Sequence, residues 1–204
     1  MKKWLLKPPT YEDFLRLLEA WRLWLIGAFV GALLAAAVYW IAPPPYRARA
    51  TVLVDQHVEQ AIPEEQTDLH NYIYLQRETD KLKEIAWSDQ TLARVAAQTG
   101  VPVADLRDGR LHLSQPDDGG WHFLADSPDP QAASTLAAGW AKAFYDEVLT
   151  HPAGVSSILE VNLTQQEDLP VGRAISPGIY VFCGALIGAA LTALGLLFFD
   201  RRGA

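Results

Sequence analysis

The distribution of charged side chains divides the chain into two apolar runs and a polar middle. No Asp, Glu, Lys or Arg occurs from Leu23 to Ala42, a run of 20 residues, or from Ala174 to Phe199, a run of 26. A helix rises ~1.5 Å per residue, so roughly 18 uncharged residues can cross a hydrocarbon core of ~30 Å. The pattern therefore predicts transmembrane helices at 23–42 and 174–199.

The segment ahead of the first run, residues 1–22, predicts an amphipathic helix. Thr10 can cap its start, and Glu12 and Asp13 stand in its first turn. Apolar residues follow at helical spacing: Phe14, Leu17, Leu18, Trp21 and Leu25. We expect this helix to lie along the cytoplasmic interface, as an anchor or as a docking surface for a cytoplasmic partner.

The polar middle, residues 43–173, predicts one external domain of the α+β class. The expected order is a strand, two helices, a hairpin, a long helix and a last strand. The segments are 46–54, a helix from about 68, 88–100, 111–113 with 121–124, a helix from 130 to 148, and 158–163. This order predicts a small mixed sheet with helices on one face, held between the two transmembrane helices.

Charge sets the expected orientation. The formal charge of −7 over 204 residues resolves into +2 for residues 1–22, −10 for 43–173 and +1 for the tail 200–204. Basic flanks stay in the cytoplasm, so we expect a multi-pass protein of the cell (inner) membrane. Both termini would be cytoplasmic and the acidic domain periplasmic or extracellular. The pattern excludes a soluble protein, and the acidity of the domain argues against nucleic acid as a partner.

Small residues recur at four-residue spacing in both runs. Gly27 and Gly31 are followed by Ala35 in the first run, and Gly184 and Gly188 by Thr192 in the second. Such rows let helix backbones approach closely. The four glycines are therefore the helix-packing candidates, either between the two spans or against neighbouring subunits.

The sequence contains no recognisable catalytic constellation. His112 and His122 are expected to be neighbours across the hairpin, as a solvated pair without further metal ligands. Asp117 and Asp118 stand beside glycines and are typical of a turn, and the acidic stretch from Glu64 to Asp68 of a solvated loop. The single cysteine, Cys183, excludes a disulfide scaffold. We expect no enzymatic activity, no cofactor and no metal.

The layout resembles the chain-length determinant family, the Wzz-type polysaccharide co-polymerases. One likeness is the first span running directly into 46–54, and another is the helix 88–100, followed by Phe123 to Asp126 and then Asp129 to Ala133. The last is the proline-bearing approach to the second span, Pro170 to Pro177. The resemblance implies a role in assembling a surface polysaccharide such as lipopolysaccharide, as a homo-oligomer in the lipid bilayer. The implied partners are a polysaccharide polymerase, a flippase or a separate kinase.

The chain departs from the family in three respects. About ten residues, 150–159, stand where members that set O-antigen length carry a long helical arm, and no kinase domain follows the second span. The proline triplet before that span is thinned. Two alternatives therefore stay open: a structural accessory subunit that reuses the fold in a larger membrane assembly, or a trans activator of a separate tyrosine kinase.

Overall fold

A computed structural model describes residues 11, 15, 18–55, 68–115, 120–150, 160–164 and 168–200. They belong to two compact units, one of residues 1–44 and 175–204 and one of residues 45–174. The helices are α1 (Trp21–Ile41), α2 (Asp68–Ala86), α3 (Asp89–Thr99), α4 (Pro130–Thr150) and α5 (Pro177–Asp200). The strands are β1 (Tyr46–Asp55), β2 (Leu111–Ser114), β3 (Gly120–Ser127), β4 (Glu160–Leu163) and β5 (Val171–Arg173).

The first unit contains α1 packed against α5. Both helices are long and apolar enough to cross a membrane, over Trp21–Ile41 and Pro177–Leu196. Within the predicted amphipathic segment, Tyr11, Leu15, Leu18 and Glu19 are helical, and the rest of that prediction lies outside the described residues. Helices near both ends that flank an α+β region confirm the predicted fold class.

The second unit is built on a sheet in which β1 is central. The strand order is β2-β3-β1-β4, and β5 also pairs with β1. Every described pairing is antiparallel, so the prediction of a mixed sheet was wrong in this detail. The reason is the hairpin: its second strand, β3, lies beside β1 and runs back along it, while β4 and β5 run the same way on the other side.

The strand pairing on the second edge of β1 is interrupted between Leu163 and Val171, and we call this interval the excursion. Val52 pairs with Leu163 and Ala48 pairs with Val171, so seven residues on this side face three on β1. Asp168 within the excursion has a positive φ of 54°, which is uncommon for a residue other than glycine. The neighbouring Leu169 is 7% exposed and joins the core. The predicted last strand, 158–163, therefore corresponds to β4 alone, and β5 was not predicted.

Alternation along the strands places the core on one face of the sheet. Ala48, Ala50 and Val52 of β1 are fully buried, while Arg49 and Leu53, whose side chains alternate with these, are exposed. On the buried side α4 lies over the sheet, and its Trp140 and Phe144 are fully buried. Because Ala48 and Ala50 have small side chains, β1 leaves space for these two large rings. In a close-packed core, small and large side chains at facing positions fill the volume together.

Trp140 is the centre of an aromatic cluster that joins three elements. Its ring lies edge-on to Phe123 of β3 and to Trp87, with a centroid distance of 4.9 Å in each case. Its Nε1–H donates to the carbonyl oxygen of Ala86 at 2.9 Å. This bond ties the end of α2 to α4 and satisfies two buried polar groups.

Capping interactions define both ends of α3 and the start of α4. The Ser88 Oγ accepts from the Thr91 backbone N–H at 3.1 Å, and α3 ends at Gly100 with φ 72°. The Asp129 Oδ2 accepts from the Ala132 backbone N–H at 2.7 Å, one residue before Pro130 begins α4. Both predicted helices are confirmed, and their boundaries come from these local bonds.

The buried bond of Trp140 yields a test of the core. Replacing Trp140 with Phe removes ring volume and leaves the Ala86 carbonyl without its donor, so we expect a loss of about 2–4 kcal/mol in the free energy of unfolding. Leu149→Ala on the same helix is the control, because Leu149 is 58% exposed. Thermal unfolding in detergent, followed by near-ultraviolet circular dichroism, measures both; equal stability of the two variants would contradict the assignment.

Candidate functional site

The closest approach of α1 and α5 occurs at the four glycines singled out in the sequence. A Cβ on Gly27 would lie 2.8 Å from the Gly188 carbonyl oxygen, and one on Gly184 would lie 2.5 Å from the Gly31 carbonyl oxygen. A Cβ on Gly188 would lie 3.0 Å from the Gly31 Cα. Real Cβ atoms essentially never come under 3.0 Å, so the two backbones can meet only because side chains are absent. We call these four glycines the glycine seam.

The small residues that continue each row close the seam at its ends. Ala35 contacts Gly184, and Thr192 contacts Gly27. The Thr192 hydroxyl donates to the Gly188 carbonyl oxygen of its own helix at 2.9 Å. Because that bond satisfies the hydroxyl, Thr192 can lie in an apolar helix interface without an unpaired polar group.

An aromatic pair joins the same two helices beyond the seam. The rings of Tyr39 on α1 and Tyr180 on α5 meet edge to face, with centroids 5.3 Å apart and planes at 74°. Tyrosine is enriched where a transmembrane helix meets the interface, since its ring is apolar and its hydroxyl polar. The pair therefore fixes the register of the helices at one end.

An open apolar groove of about 920 Å³ runs beside the seam. Large side chains from both helices form its walls, among them Val30, Leu34, Ile187 and Leu191. No residue that lines it in the described part of the chain is titratable. The groove can accommodate lipid chains or another helix, but its lining residues offer no acid, base or nucleophile.

In the second unit, the two ends of the domain are brought side by side. Tyr46 pairs with Arg173 where β1 begins and β5 ends, and the Ala174 N–H donates to the Pro45 carbonyl oxygen at 2.9 Å. The Arg173 guanidinium carbon lies 3.8 Å from the centroid of the Tyr46 ring, a cation–π contact. The partner of Tyr46 is therefore β5 and not the predicted last strand, 158–163.

The face of the sheet that carries no described helix is polar and is organised by an ion pair. Arg47 Nε donates to Asp126 Oδ1 and Arg47 Nη2 to Asp126 Oδ2, both at 2.7 Å. The hydrogen bonds to Asp126 raise the pKa of Arg47 above its already high ordinary value, against a smaller opposing effect of burial. His112 Nε2 lies 3.4 Å from the same Asp126 Oδ2. The sequence pattern did not indicate this group, because only the strand register places Asp126 opposite Arg47.

The two histidines of the hairpin share this face, but they are not opposite each other. His112 pairs with Leu124, and His122 pairs with Ser114. The His122 Nδ1 lies 3.1 Å from the Thr51 hydroxyl of β1. The two histidines are therefore diagonal neighbours on adjacent strands, because the hairpin register offsets the two positions by two residues along each strand.

The remaining candidates for chemistry are dispersed or undescribed. Among the residues that the structure describes, no three His, Cys, Asp or Glu side chains are grouped to hold a metal ion. Cys183 is exposed on α5. The predicted Asp117–Asp118 turn and the side chains of the Glu64–Asp68 stretch lie outside the described residues.

Part of the chain matches a known protein family. Residues 14–99 match the family Wzz, the chain length determinant proteins, and this confirms the resemblance inferred from sequence. The matched stretch contains α1, β1, α2 and α3, whereas the other quoted likenesses, at 123–133 and 170–177, lie beyond it. No individually curated protein matches the chain.

The glycine seam yields a prediction about the helix pair. In a Cys183→Ser background, Tyr39→Cys and Tyr180→Cys should be joined by a short thiol-reactive crosslinker, since the two tyrosine rings are in contact. Gly188→Leu should abolish the crosslink, because its side chain would collide with the Gly27 backbone.

Gly195 provides the matched control on the same helix. A Cβ added there meets nothing within 4 Å, so Gly195→Leu should leave the crosslink intact. Equal crosslinking of the two leucine variants would show that the seam does not set the helix distance.

The ion pair on the polar face yields a second prediction. Asp126→Asn should lower the free energy of unfolding by about 1 kcal/mol, a modest value because the Arg47 side chain is 34% exposed and solvent screens the pair. Arg49→Met is the control, since Arg49 is exposed on the same face of β1. Chemical denaturation measures both, and an unchanged Asp126→Asn midpoint would argue against a stabilising role of the pair.

Proposed function

On the premise that residues 14–99 carry a Wzz-type domain, we propose that the protein is a non-catalytic membrane scaffold of the polysaccharide co-polymerase type. It would organise the polymerisation or export of a surface polysaccharide by associating with further copies of itself. The family match is the single observation that carries this proposal. At the family level it supports a role in polysaccharide chain length.

The position of the match strengthens the argument. It runs through α1 into β1 and on to α3, so the likeness spans a candidate transmembrane helix and part of the folded domain together. A soluble domain that had merely converged on the same fold would not extend that likeness into the apolar helix. We therefore propose an inner-membrane location with both termini in the cytoplasm and the domain of residues 43–173 outside.

The geometry supports a positioning role. The glycine seam joins the candidate spans, and the pairing of β1 with β5 joins the two ends of the domain. Within the first unit the two helices lie close together, and within the second unit the two ends of the domain do. This arrangement suits a compact subunit that can be placed beside others around a polymerase, a flippase or a separate kinase.

The function is tested by deletion and complementation in the source cell. Deletion should change the length distribution or the amount of surface polysaccharide on a gel. The wild-type chain and Gly195→Leu should restore it, whereas Gly31→Leu should not, because its side chain would collide with the Gly184 backbone. Immunoblots of membranes confirm that each variant is present.

The outcome also separates the alternatives. An unchanged polysaccharide profile after deletion would contradict the proposal and favour an accessory subunit of another assembly. Loss of tyrosine phosphorylation on a separate kinase, with the polysaccharide changed only as a consequence, would favour a trans activator. In that case, a kinase variant that is active without this chain should restore the polysaccharide in the deletion strain.

A further inference from the structure

We propose that the polar face of the sheet binds an acidic sugar residue of a polysaccharide, and that Arg49 holds the carboxylate of that sugar. This inference rests on the proposed function, because it names the class of glycan that the domain binds. The residues concerned are Arg47, Arg49, Thr51, His112 and Ser114, and we call them the basic sheet face.

The strand β1 supplies three members of the basic sheet face. Arg47, Arg49 and Thr51 alternate with the buried residues of β1, so their side chains stand on the side opposite to the core. A strand rises ~3.4 Å per residue, so Arg47 and Arg49 are ~7 Å apart along it. Arg49 is exposed, and the Arg47 side chain is 34% exposed. Two guanidinium groups are therefore neighbours on an accessible surface.

The hairpin β2–β3 completes the face. His112 and Arg49 both pair with Leu124 of β3, so they stand on either side of it in one row across the sheet. Ser114 and Thr51 likewise stand on either side of His122 in the next row. Leu124 is partly buried. The face thus has an apolar centre at Leu124, with a cation, an imidazole and two hydroxyl groups around it.

The charge of this face is opposite to that of the domain. Residues 43–173 carry a formal charge of −10, yet Asp126 is the one acid among the paired residues of these rows. The other acids on this side of the strands, Asp55 and Glu160, pair with each other six residues beyond Arg49, ~20 Å away. A local positive surface of this kind favours an anion at Arg49.

Both arginines have donors that no residue in the described part of the chain uses. Arg47 donates to Asp126 through Nε and Nη2, which leaves its Nη1 group. Arg49 makes no side-chain hydrogen bond or ion pair with any described residue. Since two cations on one face repel each other, an anion bound at Arg49 would relieve that repulsion as well as use the donors.

An acidic sugar matches the face better than a simple anion does. Its carboxylate can accept two parallel hydrogen bonds from the planar guanidinium of Arg49. Its hydroxyl groups can pair with Thr51 and Ser114, whose own hydroxyls both donate and accept. Leu124 offers an apolar surface to the C–H side of the ring, whereas a phosphate ion would use the cations alone.

The surface beside Arg47 leaves space for the polymer to continue. Gly172 of β5 is the partner of Arg47 across the strands. A Cβ added at Gly172 would meet nothing within 4 Å. A sugar that follows the one at Arg49 can therefore lie next to Arg47 without displacing a side chain.

The test measures binding of a galacturonic acid oligomer to the full-length protein in an uncharged detergent by isothermal titration calorimetry. A neutral glucose oligomer of the same length and inorganic phosphate are titrated in parallel. The acidic oligomer should bind, and added salt should weaken it, because screening acts on exposed charges. Arg49→Gln should weaken binding about tenfold, the loss expected for a charge-assisted pair. Arg49→Lys should weaken it less, since the charge remains.

Lys142→Gln is the matched control, because it removes the same charge at an exposed position of α4, on the helix side of the sheet. It should leave the affinity unchanged, and thermal unfolding of each variant confirms that it is folded. Absence of binding, or equal affinity of wild type and Arg49→Gln, would overturn the site. Equal binding of the neutral oligomer would overturn the role of charge, and phosphate binding as tight as that of the acidic oligomer would indicate a simple anion site. None of these results bears on the deletion phenotype, so the proposed function fails or stands separately.

Discussion

The pairing of β1 with its antiparallel neighbours is the interaction on which the rest of the domain depends. β1 is bonded along one edge to β3 and along the other to β4 and β5, so each other strand is placed directly or indirectly by its backbone. Its small inward residues, Ala48 and Ala50, leave the volume that Trp140 and Phe144 occupy. Its first residue, Tyr46, meets Arg173 and brings the ends of the domain together. One strand thus determines the sheet, the core and the closure of the domain.

In a membrane, a helix pair such as α1 and α5 is subject to a different constraint, because it lacks the hydrophobic driving force that builds the domain. Lipid tails are as apolar as the helix side chains, so close packing must replace burial from water as the source of association. The glycine seam meets this need by letting backbone contact backbone. The domain therefore depends on large rings that fill its core, whereas the helix pair depends on the absence of side chains at the glycine seam.

Local patterns allowed much of this architecture to be predicted, and contacts between distant residues explain the errors. The apolar runs, β1, the hairpin and α3 with its Ser88 cap depend on short stretches of sequence and were recognised. β5 was missed because Val171 to Arg173 is too short to show a strand pattern and is a strand only through β1. The sequence pattern placed His112 and His122 across the hairpin from each other, but their diagonal offset is a matter of register, which the pattern alone did not determine.

The sequence by itself determined the apolar segments, the α+β class and the family resemblance. Uncharged length, strand alternation and helix capping are each properties of neighbouring residues. Only the tertiary structure decided that the four glycines face one another, that Arg47 meets Asp126, and that every described strand pairing is antiparallel. These facts join residues up to about 160 positions apart in the chain, since Gly27 meets Gly188. Contacts between residues so far apart in the sequence form only when the chain folds and the packing of one element determines the register of another.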